Sequence, residues 1–346
     1  MRKKGFMMAA AFLFLASLTG CGSQAKTREA MQLIEELDYQ GALTLFGQAR
    51  EQKENERLIA RGEGIAYMGL AEYEQAITCF MQALADSDGV PESMDYDLNY
   101  YLAAAYAKAG DYAAAEKTYN AILALRPKEK NACFLRGSVR LGLGNYTEAK
   151  EDFDKVISME PNNYDRLISI YEVLNHYGYQ EVGQAYLQTA LETGEKQMNT
   201  YDRGRFYYYM GDYQKAYIAL EEAKTKGGAE SYLYLGKAYE ATGDYNYAAS
   251  VYNNYLGKEG GNAQVFNQLG LCEMKRRDYR KALEAFQAGL NQEGENDRKQ
   301  ALSFNEAIAY EYLGEYKEAN AKLKAYLKNY PDDAEAIREQ QFLSTR

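Results

Sequence analysis

Chemistry needs nucleophiles, metal ligands or proton-transfer groups at workable spacings, and this chain of 346 residues carries few of them. It has four cysteines, Cys21, Cys79, Cys133 and Cys272, and one histidine, His176. No two cysteines form a C-x-x-C pair, and a single imidazole excludes the multi-histidine sites of most zinc hydrolases. There is no Gly-x-Ser-x-Gly elbow and no Gly-x-x-x-x-Gly-Lys-Ser/Thr phosphate loop. Cys79, Cys133 and Cys272 sit in apolar helical stretches and read as small buried hydrophobes. His176, in Asn175-His176-Tyr177-Gly178, stands where a helix ends and can satisfy terminal carbonyls. The pair Asp332-Asp333 reads as a helix start rather than a metal site. The expectation is a protein with no catalytic residues, no metal site and no cofactor, and so not an enzyme.

Cys21 differs from the other three. It follows Arg2-Lys3-Lys4 and an uncharged stretch of 16 residues, Gly5 to Gly20. A basic start and a short apolar run make a secretory signal, and the run is shorter than the ~20 residues of a membrane-spanning helix. The junction Leu18-Thr19-Gly20-Cys21 resembles the bacterial lipobox, and the Lys-rich start resembles that of Gram-positive lipoproteins. What the resemblance implies is a signal peptide over residues 1–20, lipidation of the Cys21 sulfur and cleavage before it. A diacyl group anchors stably where one chain does not. Residues 21–28 then form the lipidated cysteine and a short tether of ~20–25 Å reach. The expected location is the outer face of a cell membrane. After cleavage the chain carries 37 basic and 50 acidic residues, a net charge of −13. That acidity argues against a nucleic-acid partner and against a basic patch as the membrane attachment.

The rest of the chain is one pattern repeated. Tyr39, Tyr73, Tyr112, Tyr146, Tyr179, Tyr213, Tyr245, Tyr279 and Tyr316 are spaced by 34, 39, 34, 33, 34, 32, 34 and 37 residues. Three residues after each comes Ala, except at Val182, and seven after comes a large residue such as Phe46, Phe80 or Tyr119. Gly recurs nine residues before the Tyr, at Gly64, Gly137, Gly204, Gly236 and Gly270. Gly followed by Asp or Asn, as in Gly110-Asp111, closes one helix and caps the next. Pro127, Pro161 and Pro331 fall where a second helix must stop. A period near 34 with these features identifies a helical repeat array.

These positions resemble the tetratricopeptide repeat over residues 29–331. The repeat around Tyr179 is degenerate, with Val173 and Val182 at its Tyr and Ala positions. Extra residues near 86–95 and 294–299 are expected to lengthen loops between repeats. The resemblance implies an all-α, right-handed α-solenoid of about nine helix-turn-helix repeats, closed by a capping helix over residues 332–346. It also implies a concave groove lined by first helices. The register places Arg61, Tyr100, Lys108, Phe134, Tyr171, Tyr201, Arg205, Tyr208, Tyr209, Lys237, Asn267, Lys275, Phe304 and Tyr312 in it, with Asp97, Glu230, Glu240 and Glu311 making its charge mixed. Tyr and Arg dominate binding energy at interfaces, and Arg203 to Tyr209 is the densest cluster. The expected function is a membrane-anchored scaffold binding a protein or peptide. The alternative is a cell-wall or glycan-binding module that uses tyrosines as stacking platforms.

Overall fold

A computed structural model describes residues 24–346 apart from 88, 195–196, 226–227, 293–295, 332 and 346. Cys21 and the segment expected to be a signal lie outside the described residues. Among the described residues the chain is all helix and turn, with 19 helices and no strand. They are α1 (Ala25–Glu35), α2 (Tyr39–Glu51), α3 (Glu56–Gly69), α4 (Tyr73–Ala85), α5 (Ser93–Ala109), α6 (Tyr112–Leu125), α7 (Lys130–Gly142), α8 (Tyr146–Met159), α9 (Tyr164–His176), α10 (Gln180–Gly194), α11 (Thr200–Met210), α12 (Tyr213–Lys224), α13 (Ala229–Ala241), α14 (Tyr245–Glu259), α15 (Ala263–Arg276), α16 (Tyr279–Leu290), α17 (Asn296–Tyr312), α18 (Tyr316–Asn329) and α19 (Ala334–Leu343). The odd-numbered helix of each pair is the first helix of a hairpin. Two compact units divide the chain, the first mainly residues 40–68 and 72–183, the second mainly residues 184–346.

Each hairpin turns on one residue in the left-handed conformation. In α5–α6 it is Gly110 (φ 87°), whose following residue donates from Asp111 N to Tyr106 O at 2.9 Å. Asp111 then caps α6 by accepting from Ala114 N at 3.0 Å, which satisfies one of the free amides of the new helix. The same left-handed slot is filled by Gly144, Gly211, Gly243 and Gly314, and by the non-glycines Leu37, Ala71 and Arg277. Five residues after the left-handed residue the chain places Ala115, Ala149, Ala216, Ala248, Ala282 and Ala319, all fully buried. Nine residues after it come Tyr119, Phe153, Leu220, Tyr252, Phe286 and Leu323, also buried. Seven residues before it lies a small residue that makes room for the large one. A Cβ on Gly236 would sit 2.3 Å from the Tyr252 ring, so the two helices approach more closely than any side chain permits.

The fifth hairpin departs from the expected register. Its left-handed residue is Gly178, and Tyr179 follows it directly and donates to Leu174 O at 2.8 Å. Tyr179 thus fills the slot that Asp111 fills elsewhere, and α10 begins one residue later, at Gln180. The buried positions are Gly183 and Leu187, whereas the expected Val182 and Tyr186 are only half-buried. The sizes are also exchanged between the helices. Tyr171 occupies the small position of α9, and Gly183 takes the Ala position opposite. Tyr171 is therefore a core residue, 6% exposed, and not part of a groove as its repeat number suggested.

Packing runs from hairpin to hairpin. In the first unit, Ala76 and Phe80 of α4 join Ala60 of α3 with Leu98, Leu102 and Ala105 of α5. In the second, Ala282 and Phe286 of α16 join Ala263 of α15 with Leu302 and Ala309 of α17. The extra residues near 86–95 and 294–299 do not only lengthen loops: α5 and α17 have 17 residues each, against 13 in α7 and 14 in α15. Asp333 starts α19 by accepting from Glu335 N and Ala336 N at 3.0 Å, and Ala336 and Leu343 bury against Leu323 and Tyr326 of α18.

The exchange of sizes in the fifth hairpin is testable. A Cβ on Gly183 would lie 2.9 Å from the Tyr171 ring and 3.2 Å from its Cα. Gly183→Ala should cost about 1–3 kcal/mol by overpacking, and Tyr171→Ala about 2–4 kcal/mol by leaving a cavity. In the double variant the new methyl enters the vacated space, so urea unfolding should show a loss at least about 1 kcal/mol smaller than the sum. Additive losses would contradict this packing.

Candidate interaction surface

The densest aromatic group expected from the sequence forms one cluster in the second unit, on the neighbouring first helices α11 and α13. Asn199 caps α11 by accepting from Asp202 N at 2.8 Å, and Gly211 ends it in the left-handed conformation. Within that helix Tyr201, Arg205, Tyr208 and Tyr209 fall on one side, at spacings of three and four residues. The ring of Tyr234, from α13, sits among them. It lies 6.0 Å from Tyr201, 5.7 Å from Tyr208 and 6.0 Å from Tyr209, each edge to face. The hydroxyls of Tyr209 and Tyr234 share a hydrogen bond of 3.2 Å. Lys237, one turn further along α13, places its ammonium 5.0 Å from the Tyr234 ring. Edge-to-face pairs of this kind contribute about 0.5–1.5 kcal/mol each beyond burial, so the cluster holds its own shape. Tyr201, Tyr208, Tyr209, Tyr234 and Lys237 stay half-buried, with part of each side chain still open to contact.

Arg205 is a correction. It is 7% exposed, forms an ion pair with Asp202, and lies 4.5 Å from the Tyr201 ring and 5.8 Å from that of Tyr234. It braces the cluster from inside and offers no free contact surface. Phe134 is a second correction: it is 3% exposed, packed 6.1 Å from Phe153 and covered at 4.6 Å by Arg166.

The remaining candidates are dispersed. In the first unit Arg61 donates to Asp97 at 2.7 Å and lies 5.5 Å from the Tyr101 ring. Tyr100 is half-buried against Tyr119, and burial raises its phenol above the ordinary range. In the second, Asn267 accepts from Asn305 at 2.9 Å, and Phe304 packs 5.7 Å from Tyr326. Tyr312, 5.0 Å from Tyr279, is 58% exposed. Lys108 and Lys275 are exposed. Glu240 accepts from Tyr252 at 2.5 Å and from Gln268 at 3.0 Å, so its charge is held inside the array. Tyr234 is the residue that sequence reasoning missed. It stands outside the register positions expected to face the groove, and its only signal is its place three residues before Lys237.

No group of three or more acidic, histidine or cysteine side chains among the described residues is placed to hold a metal ion. Burial pushes the Cys79 thiol up to about 11, with the Glu63 charge adding to it, and the Cys272 thiol up to about 12, with Glu240 adding there. Cys133 is raised by burial as well. Such thiols are neutral at physiological pH and are poor nucleophiles.

Consecutive helix hairpins within each unit, with a half-buried aromatic cluster on the neighbouring first helices α11 and α13, define a helical-repeat protein. Models of the tetratricopeptide repeat match residues 61–130, 131–163, 233–301 and 299–333. The chain belongs to the tetratricopeptide repeat family. RNA polymerase II-associated protein 3 of Homo sapiens is 25% identical over 195 residues, 52% of this chain and 29% of that protein. Tetratricopeptide repeat protein 16 of Mus musculus is 25% identical over 183 residues, 50% of this chain and 21% of that protein. The chain thus spans less than a third of these curated relatives. Among solved structures, yeast Tom70 is similar with a TM-score of 0.49 at 14% identity, covering 93% of this chain and 88% of that one. A tetratricopeptide repeat protein from Parabacteroides merdae has a TM-score of 0.43 at 18% identity, covering 73% and 99%.

The thiols give a prediction with a definite sign. A pKa raised by folding means that the unfolded thiol ionises first, so its contribution to stability is complete below about pH 8.5 and is lost as pH rises further. Cys79 is half-buried, whereas Cys272 is fully buried; alkylation of Cys272 by iodoacetamide in the native protein at pH 8 should run at least about a hundredfold slower than in urea, and should accelerate with pH well past 9. Rapid stoichiometric labelling of Cys272 in the native protein at pH 7.5, located by mass spectrometry, would contradict its burial.

Proposed function

We propose that the chain is a lipid-anchored, extracytoplasmic scaffold that holds a protein or peptide segment close to the membrane. The observation that carries the binding half is the cluster of Tyr201, Tyr208, Tyr209 and Tyr234 with Lys237. Half-open tyrosines fixed in place by one another offer a large contact area at low entropic cost, which suits a docked helix or extended segment. Membership in the tetratricopeptide repeat family supports the same reading. The anchoring half is supported by the sequence alone, through the basic start, the apolar run and the Leu18-Thr19-Gly20-Cys21 junction. Confinement to a surface raises the effective concentration of the scaffold for partners at that surface. A glycan or cell-wall fragment is the second reading, favoured by the same tyrosines as stacking platforms.

Two measurements test the halves separately. Cys21→Ser should leave the precursor uncleaved and unlipidated, seen as a heavier band that no longer takes up labelled palmitate; unchanged maturation would refute the anchor. A photo-crosslinking amino acid at Tyr208 should trap an adduct of defined mass in living cells. Lys237→Glu combined with Tyr209→Ala should weaken that adduct at least about tenfold. A protease-resistant adduct released by a cell-wall hydrolase would transfer the assignment to the glycan.

A further inference from the structure

Among the described residues, the first helix is fastened at its N-terminal turn. Helix α1 begins at Ala25, and its first turn is clamped by a side chain from the turn between α2 and α3. The carboxylate of Glu54 accepts from Lys26 N at 2.9 Å, from Thr27 N at 2.9 Å and from the Thr27 hydroxyl at 2.6 Å. A carboxylate bonded to the free amides of a helix N-terminus complements its dipole as well as satisfying its donors. Thr27 is 5% exposed, and Ala30 packs with Ala42, Phe46 and Ile59. Helix α1 is therefore held in the first unit from residue 25, four residues before the expected start of the repeat array.

That shortens the link to the anchor. Between Cys21 and Ala25 lie only residues 22–24, so even a fully extended chain spans no more than ~14 Å. We infer that the N-terminal edge of the first unit, made of the first turn of α1 and the α2–α3 turn, lies against the lipid headgroups and sets the face that the scaffold turns to the membrane. This rests on the reading of Cys21 as the lipidated residue. Charge permits the same edge. Residues 21–183 carry 16 basic and 26 acidic side chains, against 21 and 24 in residues 184–346, so the N-terminal half holds most of the excess. Around the clamp the signs balance in the sequence: Lys26, Arg28, Arg50 and Lys53 against Glu29, Glu51, Glu54 and Glu56. An anionic leaflet repels acidic surface within about 10 Å and tolerates a charge-balanced edge at contact. Hairpin ends opposite this edge, such as the α7–α8 turn, are a helix length away, about 20 Å.

The chain contains no Trp, so an introduced one is a unique fluorophore. The full lipidated protein is reconstituted in vesicles of phosphatidylcholine and phosphatidylglycerol, with and without a phosphatidylcholine that bears a nitroxide quencher on its headgroup. Gln52→Trp, at the exposed α2–α3 turn, should lose at least half of its emission in the quencher vesicles. Leu143→Trp, at the α7–α8 turn, should lose less than a tenth. Twenty Gly/Ser residues inserted between Ser23 and Gln24 should abolish the difference. Equal quenching at both positions in protein whose mass shows the diacyl group overturns the orientation and leaves the anchor standing. Absence of the diacyl mass overturns both.

Discussion

The left-handed residue between the helices of each hairpin is the constraint on which the rest depends. It fixes where the second helix starts, and an α-helix then fixes every later position by its pitch. Counting from Gly110, Gly144, Gly178, Gly211, Gly243 or Gly314, the small residue falls five places on and the large one nine places on. Seven places before stands the residue of the first helix that faces them. The seam is thus specified by a ruler whose zero is a backbone conformation, not a side chain. Six of the nine zeros are glycine, which takes φ near +80° without strain. Leu37, Ala71 and Arg277 take it at a cost of about 1 kcal/mol each, which the surrounding packing has to offset.

This explains how much was legible. The repeat length, the number of hairpins and nearly all the buried Ala and aromatic positions follow from tyrosine spacing, because in eight hairpins the Tyr is the first residue of the second helix. The fifth misled because Tyr179 directly follows Gly178 and becomes a cap instead of a first residue. A ruler set on glycine rather than tyrosine reads that hairpin correctly from sequence. The exposure of Phe134 and Arg205 was not legible in the same way. It depends on Arg166 reaching across from the next first helix and on Asp202 lying one turn earlier, and repeat position encodes neither.

The polar interior shows the same economy. Asp152, 2% exposed, accepts from both Arg136 and Arg140 of α7, and Glu306, 3% exposed, pairs with Lys322 and accepts from Gln287. Such buried carboxylates are stabilising only as complete sets, because a lone buried charge costs several kcal/mol. They join one helix to its neighbours and are therefore part of the stack. Much of the charge that a sequence reading assigns to a groove is consumed in this way, as with Asp97 and Glu240.

What remains for recognition is whatever the stack does not use. Consensus positions are occupied by stacking, so they are the same in every array of this kind and carry no information about a partner. The departures from the consensus are what distinguish this chain from other arrays. Residues 164–232, which lie between the matched stretches, hold the exchanged hairpin and all of α11. The tyrosine cluster is completed from α13 by Tyr234, at a position the repeat pattern leaves unassigned. Those tyrosines are not needed to set helix starts, and each remains half-buried. The half-open aromatic group on α11 and α13 is therefore a departure that stacking alone does not account for.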